Sequence, residues 1–367
     1  MSILCICIID FIARLALGSS LLLAGLLATA AVAAPPIALR NTTLGTQSSQ
    51  GHGCAFDGNQ LQCWGDYVSG QPALGNAAVA SLTTWIPRPD TATGDFDHPS
   101  SLAVLDRTCL TDAAGVWCWG SNERGQLGLG DRVNRAQPER LSGLPADVVE
   151  VVFGRYHACV RTRASGLWCW GGNSYGETGQ VPGAPVTDPI IGNLPLSPPQ
   201  TRALAVPQVP GMVSAVTLGG YFSCALSEGV VWCWGNNQYG QLGDGTTTTR
   251  SLPAPVTGLP AGIRKLAAGE RHACAIDGSG ELWCWGDNER GQVGVAITGA
   301  PPFEALPRRV ETLGGQVAAV HLGGTQSCAA VDGSKKCWGI ADDGTRLGPV
   351  PQIIARPPGV PSDWVDD

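Results

Sequence analysis

The stretch Cys54-Ala55-Phe56-Asp57-Gly58-Asn59-Gln60-Leu61-Gln62-Cys63-Trp64-Gly65 decides the fold. With Cys54 facing Cys63, residue 55 lies opposite 62, 56 opposite 61 and 57 opposite 60, which leaves Gly58-Asn59 as a two-residue turn. Gly and Asn accept positive φ, as a type I′ or II′ hairpin requires. Cysteines directly across such a ladder, at a non-hydrogen-bonded position, have Cα atoms about 4.5 Å apart, at the short end of disulfide reach. Each bridge closes a small loop and contributes roughly 2 to 3 kcal/mol in the chain-entropy model.

The pattern returns five more times, as Cys109/Cys118, Cys159/Cys169, Cys224/Cys233, Cys274/Cys284 and Cys328/Cys337, with Trp-Gly after each second cysteine. The two longer pairs have one extra turn residue, with Gly166 and Gly280 available for it. From Trp64 through Trp119, Trp170, Trp234 and Trp285 to Trp338 the intervals are 55, 51, 64, 51 and 53 residues. That period belongs to propeller blades and is too long for leucine-rich or ankyrin units. Composition agrees with an all-β chain, since 50 Gly and 27 Pro in 367 residues supply turns and only 14 % of residues are charged. The net charge of −7 comes without any basic run, which argues against nucleic acid and anionic membrane as partners.

Alternation along the strand places the tryptophans. Four repeats read Trp-Cys-Trp-Gly, with Trp117 and Trp119, Trp168 and Trp170, Trp232 and Trp234, Trp283 and Trp285. The two rings of each pair share one face and the cysteine points to the other. Rings at repeated positions are expected to pack between blades rather than to form a cofactor or sugar box. Upstream of each hairpin lies a strand ending in Gly, as in Val148 to Gly154, Val213 to Gly219, Ile263 to Gly269 and Val317 to Gly323. Downstream comes a turn such as Asn236-Asn237-Gln238-Tyr239-Gly240-Gln241-Leu242-Gly243, then a Pro-bearing edge strand such as Pro253-Ala254-Pro255-Val256.

The string Gly-x-x-His-x-Cys-Ala … Trp-x-Trp-Gly-x-Asn-x-x-Gly-Gln-Leu-Gly resembles the repeat of the regulator of chromosome condensation (RCC1-like) family. It covers about residues 37 to 356 and is best formed at Cys224 to Gly243 and His272 to Gly294. The resemblance implies a β-propeller. Members usually carry seven blades; the six motifs favour six here, with a seventh left open from divergent segments such as Ala184 to Val209. Chain ends often share one blade in propellers, and Ile37 to Leu44 with Val350 to Ile354 are the candidates. The terminal repeats replace the first Trp by Gln62 and Lys336, which predicts a looser, more hydrated seam between them.

Residues 1–34 read as a secretory signal peptide, and 35–367 as a single propeller domain. Arg14 precedes the apolar run Leu15 to Leu27, and Ala31-Val32-Ala33 forms a small-x-small cleavage site. An uncleaved anchor is the alternative, because Leu15 to Ala34 nearly spans a bilayer. Cys5 and Cys7 leave with the leader, and the other twelve cysteines fall into six pairs with none left over. An even count after export reads as a disulfide framework and an extracytoplasmic setting: periplasm, surface or medium. Zinc prefers closely spaced Cys-x-x-Cys pairs or His partners. Asp-Gly pairs such as Asp57-Gly58, Asp244-Gly245, Asp277-Gly278 and Asp332-Gly333 suit turns and lack the several carboxylates of a calcium loop.

Neither a cofactor nor a catalytic group is expected. His52, His157 and His272 precede the first cysteine by two positions, where other repeats carry Arg107, Phe222 and Gln326. A repeated strand position is structural, and no free cysteine remains as a nucleophile. Exchange activity on a small GTPase is what the resemblance implies for function, but it needs a cytosolic G protein, at odds with an exported chain. The sequence favours a non-enzymatic, monomeric scaffold that binds a protein through rim loops, with a carbohydrate-binding surface as a second alternative. Two insertions are candidate contacts: Asn76 to Ser100, carrying Trp85, Arg88, Phe96 and His98, and the Pro-rich Val181 to Met212. If Trp85 supports a partner, Trp85→Ala abolishes capture of that partner in a pulldown; unchanged capture contradicts this assignment.

Overall fold

The computed structural model describes residues 53–353 except 58–59, 65–83, 91–93, 95, 97–98, 165, 189–191, 298–299, 301 and 342–343. The leader and Ile37 to Leu44 lie outside the described residues.

Each repeat folds as one antiparallel sheet in chain order. In the fourth, strands Val213–Leu218, Phe222–Ser227, Val230–Gly235 and Arg250–Pro255 pair successively. Four more four-stranded blades span 101–140, 148–205, 265–309 and 317–353. Blade one has three described strands, Gly53–Asp57, Gln60–Trp64 and Thr84–Ile86. The hairpin registers are those expected from the cysteines. Cys54 faces Cys63 with Asp57 opposite Gln60, and Cys224 faces Cys233. All six disulfides lie within blades, with Cα atoms 4.0–4.2 Å apart. Glu228-Gly229 and Asp332-Gly333, both residues of each pair at positive φ, form the two-residue turns of blades four and six.

Among the described residues the stretched interval holds no seventh four-stranded sheet. Val186–Asp188 and Gly192–Leu196 form a separate two-stranded hairpin, and Gln200–Ala205 then returns as the outer strand of blade three. Chain growth there is an insertion between the third and fourth strands of one blade. Blade six needs no strand from the N-terminal side, because Arg346–Ile353, which includes Val350, supplies its own fourth strand. Asn76 to Ser100 is likewise not a free loop, since Thr84–Ile86 pairs with Gln60–Trp64 as the outer strand of blade one.

The first strands of blades two to six pack against one another in succession. Between blades the alternation read from the sequence becomes the core: each buried cluster combines the disulfide of one blade with the second tryptophan of the next. Cys54 and Cys63 lie with Trp119, Cys109 and Cys118 with Trp170, and Cys159 and Cys169 with Trp234. Cys224 and Cys233 lie with Trp285, and Cys274 and Cys284 with Trp338. These five rings are fully buried. Sulfur and indole fill opposite sides of one interface, which only strict two-residue alternation can supply.

Polar atoms lock the same interface. The indole N–H of Trp170 donates to the backbone carbonyl of Gln126 at 2.9 Å, Trp234 to Glu177 at 3.0 Å, Trp285 to Gln241 at 2.9 Å and Trp338 to Gln292 at 2.9 Å. Each acceptor sits in the Gly-Gln-Leu-Gly turn, or its variant, of the preceding blade. The turn is itself held by an asparagine: Leu242 N–H donates to Asn237 Oδ1 at 2.9 Å, and Leu127 to Asn122 at 2.9 Å. Two glycines are needed for this join. Gly235, just after Trp234, has φ +105, and a Cβ there would stand 2.6 Å from the Tyr221 carbonyl oxygen. At Gly243, with φ +66, a Cβ would lie 2.9 Å from Trp285 Nε1 and 2.8 Å from Val256 Cγ1.

The terminal blade departs slightly from the others. Cys328 and Cys337 are 8 % and 3 % exposed, against 0 % for the other ten bridged cysteines. The neighbour expected beyond them, Trp64, has its side chain outside the described residues, so contact between the first and last blades is not described.

Gly243→Ala is expected to cost about 2 to 4 kcal/mol, from left-handed backbone strain plus overpacking against the indole. Gly258→Ala is the control, having φ +85 but nothing within 4 Å of its added Cβ. It should cost only about 1 to 2 kcal/mol. Urea unfolding of the oxidised chain measures both, and equal losses would refute the inter-blade contact as the source.

Candidate functional site

The residues singled out around the first insertion do not form one exposed patch. Phe96 is buried at 1 % exposure and meets Trp117 edge-on, with ring centroids 6.3 Å apart. Arg88 is 8 % exposed, lies 4.9 Å from the centroid of Trp117 and donates to Asp112 Oδ2 at 3.0 Å. Both therefore cover the first tryptophan of blade two. Trp85 stands opposite Gln62 in the outer strand of blade one. Its side chain and all of His98 lie outside the described residues.

The repeated histidines are buried cross-blade links. His157 Nε2 is 2.8 Å from Ser223 Oγ, and His272 Nε2 is 2.9 Å from Ser327 Oγ. Each serine gives its proton to a carbonyl oxygen, of Glu177 or Gln292, at 2.7 Å. Nε2 therefore carries the hydrogen and donates. Burial, joined at His157 by the charge of Arg107, pushes both imidazoles down to about 3 and keeps them neutral. With ring and hydroxyl fully buried, neither pair presents a nucleophile to a substrate. Where the histidine is replaced, its neighbour changes too: buried Phe222 clusters with Ala273. Arg107 donates to the carbonyls of Gly154 at 2.7 Å and His157 at 3.1 Å.

Glu177 is the exception within the inter-blade join. It occupies the place of Gln126, Gln241 and Gln292, is 1 % exposed, and accepts from the Tyr175 N–H at 2.7 Å through Oε2. Gln126 gives its amide to Ser121 and Gln241 to Asn236; Glu177 has Gly172 at that position. Burial pushes its carboxyl up to about 7, while backbone donors and Arg124 pull the other way.

Directly over these joins runs a row of exposed and half-buried aromatic and cationic side chains. At three junctions the residue before Gly in the Asn-x-x-Gly-Gln-type turn meets the residue three before the first cysteine of the next blade. Arg124 stands over Tyr156, 4.1 Å from its ring centroid. Tyr175 packs edge-on to Tyr221 at 5.4 Å. Arg271 lies over Tyr239 at 4.7 Å and donates to its hydroxyl at 3.2 Å. Tyr156 and Tyr221 also touch, at 5.4 Å and tilted by 46°, which joins the first two contacts into one cluster. Arg155 lies 5.3 Å from the Tyr156 ring and is ion-paired with Glu270 of blade five. Burial, aided by Tyr156, pushes the Tyr221 phenol up to about 12.

This row lies inside the repeats, not in the insertions where the sequence places the candidate contacts. The signal was present: Tyr156, Tyr221 and Arg271 share one repeat column, and Arg124, Tyr175 and Tyr239 share another. What was missing was that those two columns meet across blades.

Among the described residues no group of three or more His, Cys, Asp or Glu side chains could hold a metal ion. A shallow depression of about 400 Å³ between blades five and six is bordered by Arg264, Lys265, Asp277 and Gln316. Its cations are engaged, Arg264 with the Gly278 carbonyl and Lys265 with that of Ala318 at 2.7 Å. Asp277 is a turn residue, taking Ser279 N–H at 2.9 Å and the Trp283 indole at 3.0 Å.

Blade order, the Cys-Trp-Gly hairpins and the Gln-Leu-Gly joins together define an RCC1-repeat β-propeller. The Regulator of chromosome condensation (RCC1) repeat matches residues 114–161, 228–276 and 279–330, and a second form of it matches 148–177, 213–241 and 263–292. Human E3 ubiquitin-protein ligase HERC2 is 29 % identical over 256 residues, 68 % of this chain but 5 % of that protein. The mitochondrial RCC1 domain-containing protein RUG3 of Arabidopsis thaliana is 30 % identical over 213 residues, 56 % of this chain and 44 % of that one. The chain thus spans less than half the length of either relative. Yeast RCC1 (Prp20), in its complex with Kap60, superposes with a TM-score of 0.66 over 83 % of this chain and 73 % of its own at 20 % identity, a likeness of fold alone.

Glu177 gives stability a dependence on pH. Its folded-state value of about 7 lies above the ordinary 4.5, so its contribution is fully present below about 4.5 and is lost as pH rises through about 7. The histidines act oppositely, costing stability as pH falls from 6.5 towards about 3. Glu177→Gln should therefore raise stability at pH 8, by up to about 3 kcal/mol, and change it little at pH 4.5. Equal effects at both pH values, read by urea unfolding, would count against a buried ionisable group.

Proposed function

We propose that this propeller is an exported, non-enzymatic scaffold that binds a protein partner through the Tyr156, Tyr175 and Tyr221 face. The observation that carries this reading is the run of three consecutive blade junctions at which a Tyr meets an Arg or a second Tyr. Tyr and Arg are the usual anchors of protein interfaces, because they combine large contact area with polar tips. A rigid sheet framework below them keeps the ordering cost of binding low.

Six bridges within blades support an oxidising, extracytoplasmic setting, where such bonds form and persist. Ligase activity is not carried over from HERC2, of which the matched part is 5 %. The tilted, mutually packed tyrosines are poorly suited to stack a sugar ring, which favours protein over carbohydrate.

Affinity capture with the oxidised protein tests the reading. Partner recovery is expected to fall with Tyr221→Ala and to persist with Trp85→Ala. Recovery that survives Tyr221→Ala and is lost with Trp85→Ala would move the contact to blade one and overturn the assignment.

A further inference from the structure

Within the tyrosine face, charge is not balanced evenly. Arg155 has Glu270 as its ion-pair partner, whereas Arg124 pairs with no carboxylate among the described residues. Its guanidinium carbon lies over the Tyr156 ring, 4.1 Å from the centroid, with its backbone fixed through the Arg124 N–H to Gln126 Oε1 bond of 2.7 Å. A guanidinium stacked on an aromatic ring loses little further freedom on binding and keeps its edge donors available. Glu177, whose carboxyl feels the Arg124 charge, is fully buried and is kept protonated by burial up to near-neutral pH. It therefore leaves that cation uncompensated below neutrality.

Resting on the proposed binding role, we infer that the surface formed by Arg124, Tyr156 and Tyr221 takes an acidic peptide segment of the partner, with a carboxylate on Arg124. The complementarity is one of both charge and form. A side-chain carboxylate meets the guanidinium edge with paired N–H···O bonds, and the neighbouring tyrosine rings provide apolar contact for the adjoining residues. A sulfated glycan carries similar charge, but the Tyr156 face on which a sugar would stack is already covered by Arg124. The tilt of 46° between Tyr156 and Tyr221, and of 73° between Tyr175 and Tyr221, leaves no flat platform beside it. An extended chain fits such a stepped surface better than a ring.

Fluorescence anisotropy with the oxidised protein tests this directly. The probes are a labelled decapeptide rich in Asp and Glu, its Lys counterpart and a heparin octasaccharide. The acidic peptide is expected to bind and the Lys peptide not to. Arg124→Met keeps an apolar contact on Tyr156 while removing the charge, and should weaken acidic-peptide binding about tenfold or more. Arg290→Met, on the same face but beside Glu289 at 3.8 Å, should leave it unchanged. Absence of acidic-peptide binding, equal binding by Arg124→Met, or binding of heparin alone would each overturn the inference. Capture of a partner that depends on Tyr221, with no binding of the acidic peptide, would remove this inference and leave the proposed function standing.

Discussion

One hydrogen bond, repeated from blade to blade, organises the molecule: an indole N–H reaches back to a carbonyl in the turn of the preceding blade. It forms at Trp170, Trp234, Trp285 and Trp338 with distances of 2.9–3.0 Å. A buried donor without a partner costs about 1 to 3 kcal/mol, so each join favours the correct spacing of blades as well as their contact. The disulfide of the preceding blade fills the other side of the ring. Covalent staple and hydrogen-bonded wedge thus belong to the same interface, and neither is free to serve as a reactive group.

Variation is tolerated around this bond in compensating pairs. His157 and His272 meet serines, and Phe222 meets Ala273, so the position that changes in one blade is answered in the next. Glu177 shows what happens without compensation. Its Gln-like backbone role survives, because the carbonyl still accepts from both Trp234 and Ser223. Its side chain lacks the Ser121 or Asn236 partner found in blades two and four, and burial pushes its carboxyl up to about 7. The four junctions from blade two to blade six therefore share a fixed inner contact with a variable outer edge, and the Tyr and Arg row lies on that edge.

The fold was legible because its determinants are local. Cysteine separation sets the hairpin register and Trp-x-Trp sets the faces. The blade count followed, although the segment from Ala184 to Val209 needed structure to show that a hairpin and an outer strand, not a further blade, account for it. The site was less legible for a physical reason. Insertions look like binding loops, yet Arg88 and Phe96 turn inward because blade two leaves Trp117 to be covered. The tyrosine face arises from two columns distant in sequence and adjacent only once blades are stacked. Arg124 and Tyr156 belong to different repeats, and nothing local in either predicts their contact.

The measurement that tests the central claim most directly is hydrogen exchange of the indole protons, followed by NMR in the oxidised protein. If the joins hold the blades together, the protons of Trp170, Trp234, Trp285 and Trp338 exchange only through global unfolding. Those of the half-buried Trp168 and Trp232, which have no partner among the described residues, should exchange roughly a hundredfold or more faster. Exchange of the four joined indoles at the rates of Trp168 and Trp232 would show that the joins open locally and would contradict the account.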